Sequence, residues 1–259
     1  MINLTSGQIE AWMAAYLWPL VRIGACLMVA PVFGASTVPP RFRLVLAIAI
    51  TLIVAPLLPA LPDVSPFSLQ GVIVTVQQMI IGVAIGFVLQ LVFDALAMGG
   101  QLLANTMGLS FAFNVDPLRG AGSPVLGQFY TLIATLTFLA LNGHIAVVQL
   151  MVEGFRTLPV GVQGFGADAY WQIAGFGMQL FRGALMVALP GVTALLIVNL
   201  AFGVVSRAAP SLNLFAVGFP VTLIFGLAVV LAGLPAMQDA FTTLMRESMQ
   251  FATGLMGGR

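Results

Sequence analysis

The sequence has no lysine, one cysteine and one histidine, and its 259 residues carry only nine arginines against eight carboxylates. A water-soluble domain is about one quarter charged. The 7% found here cannot cover a soluble globule of this size. A cytosolic enzyme is excluded on that ground. So is a nucleic-acid binder, because a net charge of +1 forms no basic patch. The lone Cys26 rules out an internal disulfide framework and reads as a small buried apolar residue. The first charge is Glu10 and the first basic residue Arg22, so no positive segment precedes the first apolar stretch and no cleaved leader is expected. The phosphate-binding, dinucleotide, zinc-protease and nucleophile-elbow motifs are all missing. His144 has no further ligands at metal-binding spacing and reads as a satisfied structural histidine. No catalytic residue, metal or cofactor is expected.

What the chain has is apolar length. It is 60% apolar, with a mean hydropathy of +1.09. Six blocks stand out, at about 9–33, 44–61, 69–98, 126–152, 172–205 and 214–236. The pattern is all-α: a membrane-associated bundle of about six long, kinked apolar helices or hairpins, followed by a C-terminal amphipathic helix. In that last piece Met237, Phe241, Leu244, Met245, Ser248, Ala252 and Leu255 share one face, suited to an interface or a partner. The fifth block is too long for one straight span. Pro190-Gly191 near its middle predicts a sharp kink or a break there. Trp12 and Trp18 read as anchors at the membrane interface. The arginines are nearly balanced between the two sides, and the Arg41/Arg43 turn favours a cytoplasmic first loop.

Charged residues inside apolar blocks face protein or water, since a charge at the centre of a lipid-exposed helix costs about 2.5–3.5 kcal/mol on insertion scales. Arg22, Asp94, Arg182 and Arg207 fall in this class. They fit helix pairing better than a proton relay. Gln78, Gly82, Gly86, Gln90 and Asp94 recur every four residues, a small-and-polar stripe that lets helices approach and bond to one another. Asn199, Gly203 and Arg207 repeat the pattern. The segment from Gly108 to Pro124 is too apolar for a solvated loop and too rich in Gly and Pro for one helix.

Taken in order, several motifs resemble the FliR family of flagellar export-gate proteins, whose relatives serve type III secretion. They are Gln77-Gln78 with Gly82 and Gly86-Phe87, then Met107-Gly108-Leu109 and Asn114-Val115-Asp116-Pro117. Leu141-Asn142-Gly143-His144 and Phe155-x-x-Leu158-Pro159 follow, and last come Asn199, Gly203, Arg207, Pro210, Asn213, Phe215 and Gly218-Phe219-Pro220. The resemblance implies a non-enzymatic subunit, one copy per complex, that joins FliP-like and FliQ-like subunits in a channel for unfolded polypeptides. FlhB-like and FlhA-like export components would be further partners. It implies a FliP-like part over residues 1–160 and a FliQ-like hairpin over 161–259. Its place would be the bacterial inner membrane within the flagellar basal body, with part of the assembly raised toward the periplasm. Residues 108–124 would be the pore loop, with Gly108, Leu109, Ser110, Phe111, Phe113, Asn114, Asp116 and Pro117 in gating. Arg22, Gln78, Gly82, Gly86, Gln90, Asp94, Arg182, Asn199, Gly203 and Arg207 would serve packing.

The competing reading is a self-contained secondary transporter for a small solute, which broken helices and mid-membrane polar residues would also suit. Inverted repeats, expected of such proteins, are not visible. The pore-loop reading has a direct test. Deleting Ser110–Asp116 is expected to leave the complex assembled but leaky to small solutes, measured as dye or ion flux from vesicles. A tight channel, or no complex at all, would count against it.

Overall fold

A computed structural model describes residues 6–59, 62, 64–109, 125–208 and 214–257. Among them are eight α-helices and no strand: α1 (Ser6–Val29), α2 (Pro40–Val54), α3 (Leu69–Thr106), α4 (Val125–Ala140), α5 (Gly143–Thr157), α6 (Ala167–Phe176), α7 (Met178–Ala208) and α8 (Leu214–Met256). Five helical stretches are long and apolar enough to cross a membrane, or six if the bent α4–α5 pair counts as one. The all-α reading of the sequence is correct.

The local signals are simple. Pro40 begins α2 because its fixed φ suits the first helical position, where no backbone donor is needed. The α4–α5 corner turns by 69° at Asn142, which adopts the left-handed conformation at φ 56°. Asparagine tolerates that conformation better than most residues with a side chain.

Three boundaries depart from expectation. Gly99 and Gly100 do not end α3, which runs on to Thr106. A Cβ at Gly99 would lie 3.1 Å from the Ala184 carbonyl, and one at Gly100 would lie 2.6 Å from that of Leu126. These glycines are there for close helix approach. Pro190 does not break α7, which is continuous from Met178; the interruption falls at Gly177 instead. Gly191, beside the proline, packs against Leu103 and Val229, so neighbouring helices hold the weakened turn. The C-terminal amphipathic segment is not a separate helix but the end of α8, and its apolar face is already buried within this chain.

The chain forms two compact units. The first holds residues 1–91, 138–177 and 246–259. In it Trp18 and Arg22 of α1 bond to Thr75 and Gln78 of α3, while Gly82 and Gly86 press on the backbone of Arg22, Cys26 and Ala30. The sequence separation between partners stays between 56 and 60, so α1 and this part of α3 run parallel. Trp18 is therefore a core residue, fully buried, and not an interfacial anchor; Trp12 is the exposed one.

The second unit holds residues 92–137 and 178–245. Gly183 meets Leu244, Gly191 meets Val229 and Asn199 meets Thr222, so α7 and α8 form an antiparallel hairpin. The end of α3 packs along it: Ala95 against Gly183, Leu103 against Gly191 and Met107 against Gly226. Phe93 and Phe241 add an edge-to-face contact at 5.5 Å.

Glycine contacts of this kind make an asymmetric prediction. Gly82→Ala would drive a methyl into the Arg22 carbonyl and is expected to destabilise the chain by about 1–3 kcal/mol. Gly203→Ala meets open space in a helix interior and is expected to be neutral or stabilising by up to about 1 kcal/mol. Thermal unfolding in detergent would compare them, and equal effects would refute the close-packing account.

Candidate functional site

The first unit is centred on Arg22, whose side chain is completely buried. Its Nε donates to Gln78 Oε1 at 2.7 Å, and its Nη1 donates to the carbonyls of Gly154 and Leu158 at 3.1 and 2.9 Å. The guanidinium lies 4.3 Å from the centre of the Phe155 ring, within cation–π range. One side chain thus ties α1 to α3 and to the C-terminal end of α5, where the helix dipole favours a cation and Gly154 O accepts from the Leu158 N–H as well as from Arg22. Trp18 Nε1 donates to Thr75 Oγ1 at 3.2 Å, and Gln77 Nε2 to the Val162 carbonyl at 2.6 Å. Two buried donors of this bonded pair, Arg22 Nη2 and Gln78 Nε2, have no hydrogen-bond partner among the described residues. An amide that accepts on its oxygen presents its NH₂ as a second donor, where a carboxylate would present a second acceptor.

The stripe on α3 does not form one contact. Gln78, Gly82 and Gly86 are buried, Gln90 is half-buried and Asp94 is exposed. A step of four residues turns about 40° around the helix, so five members wind out of the interface. Gln78, Gly82 and Gly86 meet α1; Asp94 lines an open cavity of about 470 Å³ in the second unit, together with Ala97, Gln101, Asn105, Gly127 and Leu180.

A larger cavity, about 730 Å³, lies in the second unit between the end of α3 and the α7–α8 hairpin. Asn199 Nδ2 donates to the Thr106 carbonyl at 3.3 Å, one of the last carbonyls of α3. The Thr222 hydroxyl lies 2.9 Å from the Gly218 carbonyl and 3.3 Å from Asn199 Oδ1. The other two members of that second stripe behave differently: Gly203 faces open space and Arg207 is exposed. Arg182 is exposed too, with Nη1 donating to Gln179 Oε1 at 3.2 Å.

Gly108 stands at the rim of the larger cavity with φ 79°, a conformation that favours glycine, and Leu109 follows it half-buried. Ser110, Phe111, Phe113, Asn114, Asp116 and Pro117 lie outside the described residues. His144 is not the satisfied histidine expected from the sequence. It sits at the start of α5, just after the Asn142 corner, with Nδ1 buried and unpaired among the described residues. Sequence reasoning missed Thr75, and it did not join Trp18 or Phe155 to the Arg22 cluster. The available signal was the matched spacing of Trp18 with Arg22, four apart, and of Thr75 with Gln78, three apart.

Comparison with known proteins places this arrangement. Residues 13–248 match the family described as Bacterial export proteins, family 1. The chain is 41% identical to the flagellar biosynthetic protein FliR of Escherichia coli (strain K12) over 91% of its own length and 90% of that protein. It is 39% identical to the flagellar biosynthetic protein FliR of Pectobacterium carotovorum subsp. carotovorum, over 88% and 87% respectively.

The two buried donors left without partners on Arg22 and Gln78 predict an unusual ranking. Gln78→Glu is expected to keep or raise stability, because a carboxylate accepts from both Nε and Nη2. Arg22→Lys keeps the charge but cannot span Gln78, Gly154 and Leu158, and is expected to cost about 1.5–3 kcal/mol. Unfolding midpoints of the purified variants decide it. A Gln78→Glu chain less stable than Arg22→Lys would contradict the geometry.

Proposed function

The chain belongs to family 1 of the bacterial export proteins, and on that premise we propose that it is the single-copy subunit that joins FliP-like and FliQ-like subunits to form an export channel. It is a component of the flagellar export apparatus, a protein of the inner membrane. The channel passes unfolded flagellar polypeptides across that membrane. The subunit performs no bond chemistry; the energy comes from other parts of the apparatus. FlhB-like and FlhA-like components are further partners, and part of the assembly is raised toward the periplasm.

The observation that carries this reading is the length and continuity of the family match, which runs through both compact units. The physical arrangement supports it. Arg22, Gln78, Gly82 and Gly86 fasten the first unit internally, as a fixed frame requires. In the second unit, two open cavities lie against the stretch of α3 that leads to Gly108. From Gly108 to Pro124 an apolar, glycine-rich loop closes the channel, and in the closed state it excludes water and ions. In the proposed division, residues 1–160 are FliP-like and 161–259 FliQ-like.

Native mass spectrometry on the tagged chain, coexpressed with its neighbouring genes and extracted in mild detergent, tests the assembly. One copy of this chain bound to several FliP-like and FliQ-like subunits is expected. A lone, stable monomer or homodimer that transports a solute in liposomes would overturn the proposal in favour of a self-contained transporter.

A further inference from the structure

Along the α7–α8 hairpin of the second unit most exposed side chains are apolar, among them Leu189, Leu196, Ile197, Leu200, Ile224 and Leu231, with Arg182 and Arg207 exposed near the ends of α7 and Asn199 beside the larger cavity. The exposed face of α3 in the same unit is different. Asp94, Gln101 and Asn105 all stand exposed there, on a helix that is otherwise strongly apolar. Spacings of seven and eleven residues from Asp94 place Gln101 and Asn105 about 20° to either side of it around the helix axis, in a narrow line roughly 16 Å long. The line runs along the 470 Å³ cavity, and Asn105 also borders the 730 Å³ cavity. Lipid suits the α7–α8 face and does not suit this one, because hydrocarbon cannot satisfy a carboxamide.

The geometry points to a track for the backbone of the exported polypeptide along Asp94, Gln101 and Asn105, an assignment that rests on the export reading above. Each carboxamide offers both a donor and an acceptor, the same pair that a peptide group offers. Asp94 already has a partner within the chain, so Gln101 and Asn105 carry the contact. Ala97 and Gly127, which share the cavity, leave room for a backbone to approach. A line of 16 Å matches about five residues of extended chain at roughly 3.3 Å each. Side-chain amides bond to backbone without reading sequence. A conduit for many different unfolded chains needs that indifference, which the two amides supply while the one carboxylate is engaged within the chain.

The test uses the assembled complex with an export substrate that carries one cysteine and is stalled by a folded domain fused behind it. Native Cys26 is fully buried and does not compete. Gln101→Cys and Asn105→Cys are expected to form disulfides with the stalled substrate, and Leu200→Cys on the apolar face is not. The double variant Gln101→Leu/Asn105→Leu is expected to assemble normally and export several-fold more slowly, while Gln101→Asn/Asn105→Gln restores most of the rate. Disulfides from 101 and 105 to a neighbouring subunit, with or without substrate, would overturn the track, as would silence at both positions. If deleting the whole chain left export intact, the export reading itself would fall. If deletion abolished export and both positions stayed silent, only the track would.

Discussion

Close backbone approach at glycine is the constraint on which the two units depend. Helices this apolar gain nothing by preferring one apolar neighbour to another, since lipid tails solvate leucine as well as another helix does. What distinguishes a correct pairing is contact that only a missing side chain permits. Gly82 and Gly86 set α1 against α3, and Gly183, Gly191 and Gly226 set the α7–α8 hairpin and its neighbour. The contacts fix direction as well as partner. A constant sequence separation makes α1 and α3 parallel, and the paired positions of α7 and α8 make them antiparallel.

Polar groups then do two different jobs. In the first unit they are sealed in: Arg22, Gln78, Trp18 and Thr75 bond to one another or to helix-end carbonyls. A buried guanidinium with several acceptors and an aromatic face cannot slide along its neighbours without losing bonds, so it locks the register that glycine allows. In the second unit the polar groups stand open, along cavities bordered by Asp94, Gln101, Asn105 and Asn199. A fixed frame in one unit and accessible amides in the other suit the export role proposed above.

Much of this was legible beforehand. The apolar blocks marked the helices, and the face made by Met237, Phe241, Leu244, Met245, Ser248, Ala252 and Leu255 is the buried face of α8. The breaks were harder to read. Pro190 does not break α7, whereas the chain turns by 69° at Asn142, inside a block that reads as one apolar run. Proline removes one hydrogen bond, and packing can replace that loss. A left-handed residue redirects everything after it, and nothing in the apolar pattern announces one.

The sequence by itself determined the class of molecule: helical, membrane-embedded, without chemistry-bearing motifs, and similar throughout to a known export family. Those conclusions follow from composition and local order, which no folding can alter. Only the tertiary structure decided which polar residues work together. Trp18 and Thr75 are 57 positions apart, and Arg22 and Leu158 are 136 apart, so no local pattern could join them. It also decided that Gln78 and Asp94, members of one repeat, have opposite fates. A four-residue repeat drifts around a helix, and burial depends on where the neighbouring helices stop covering it.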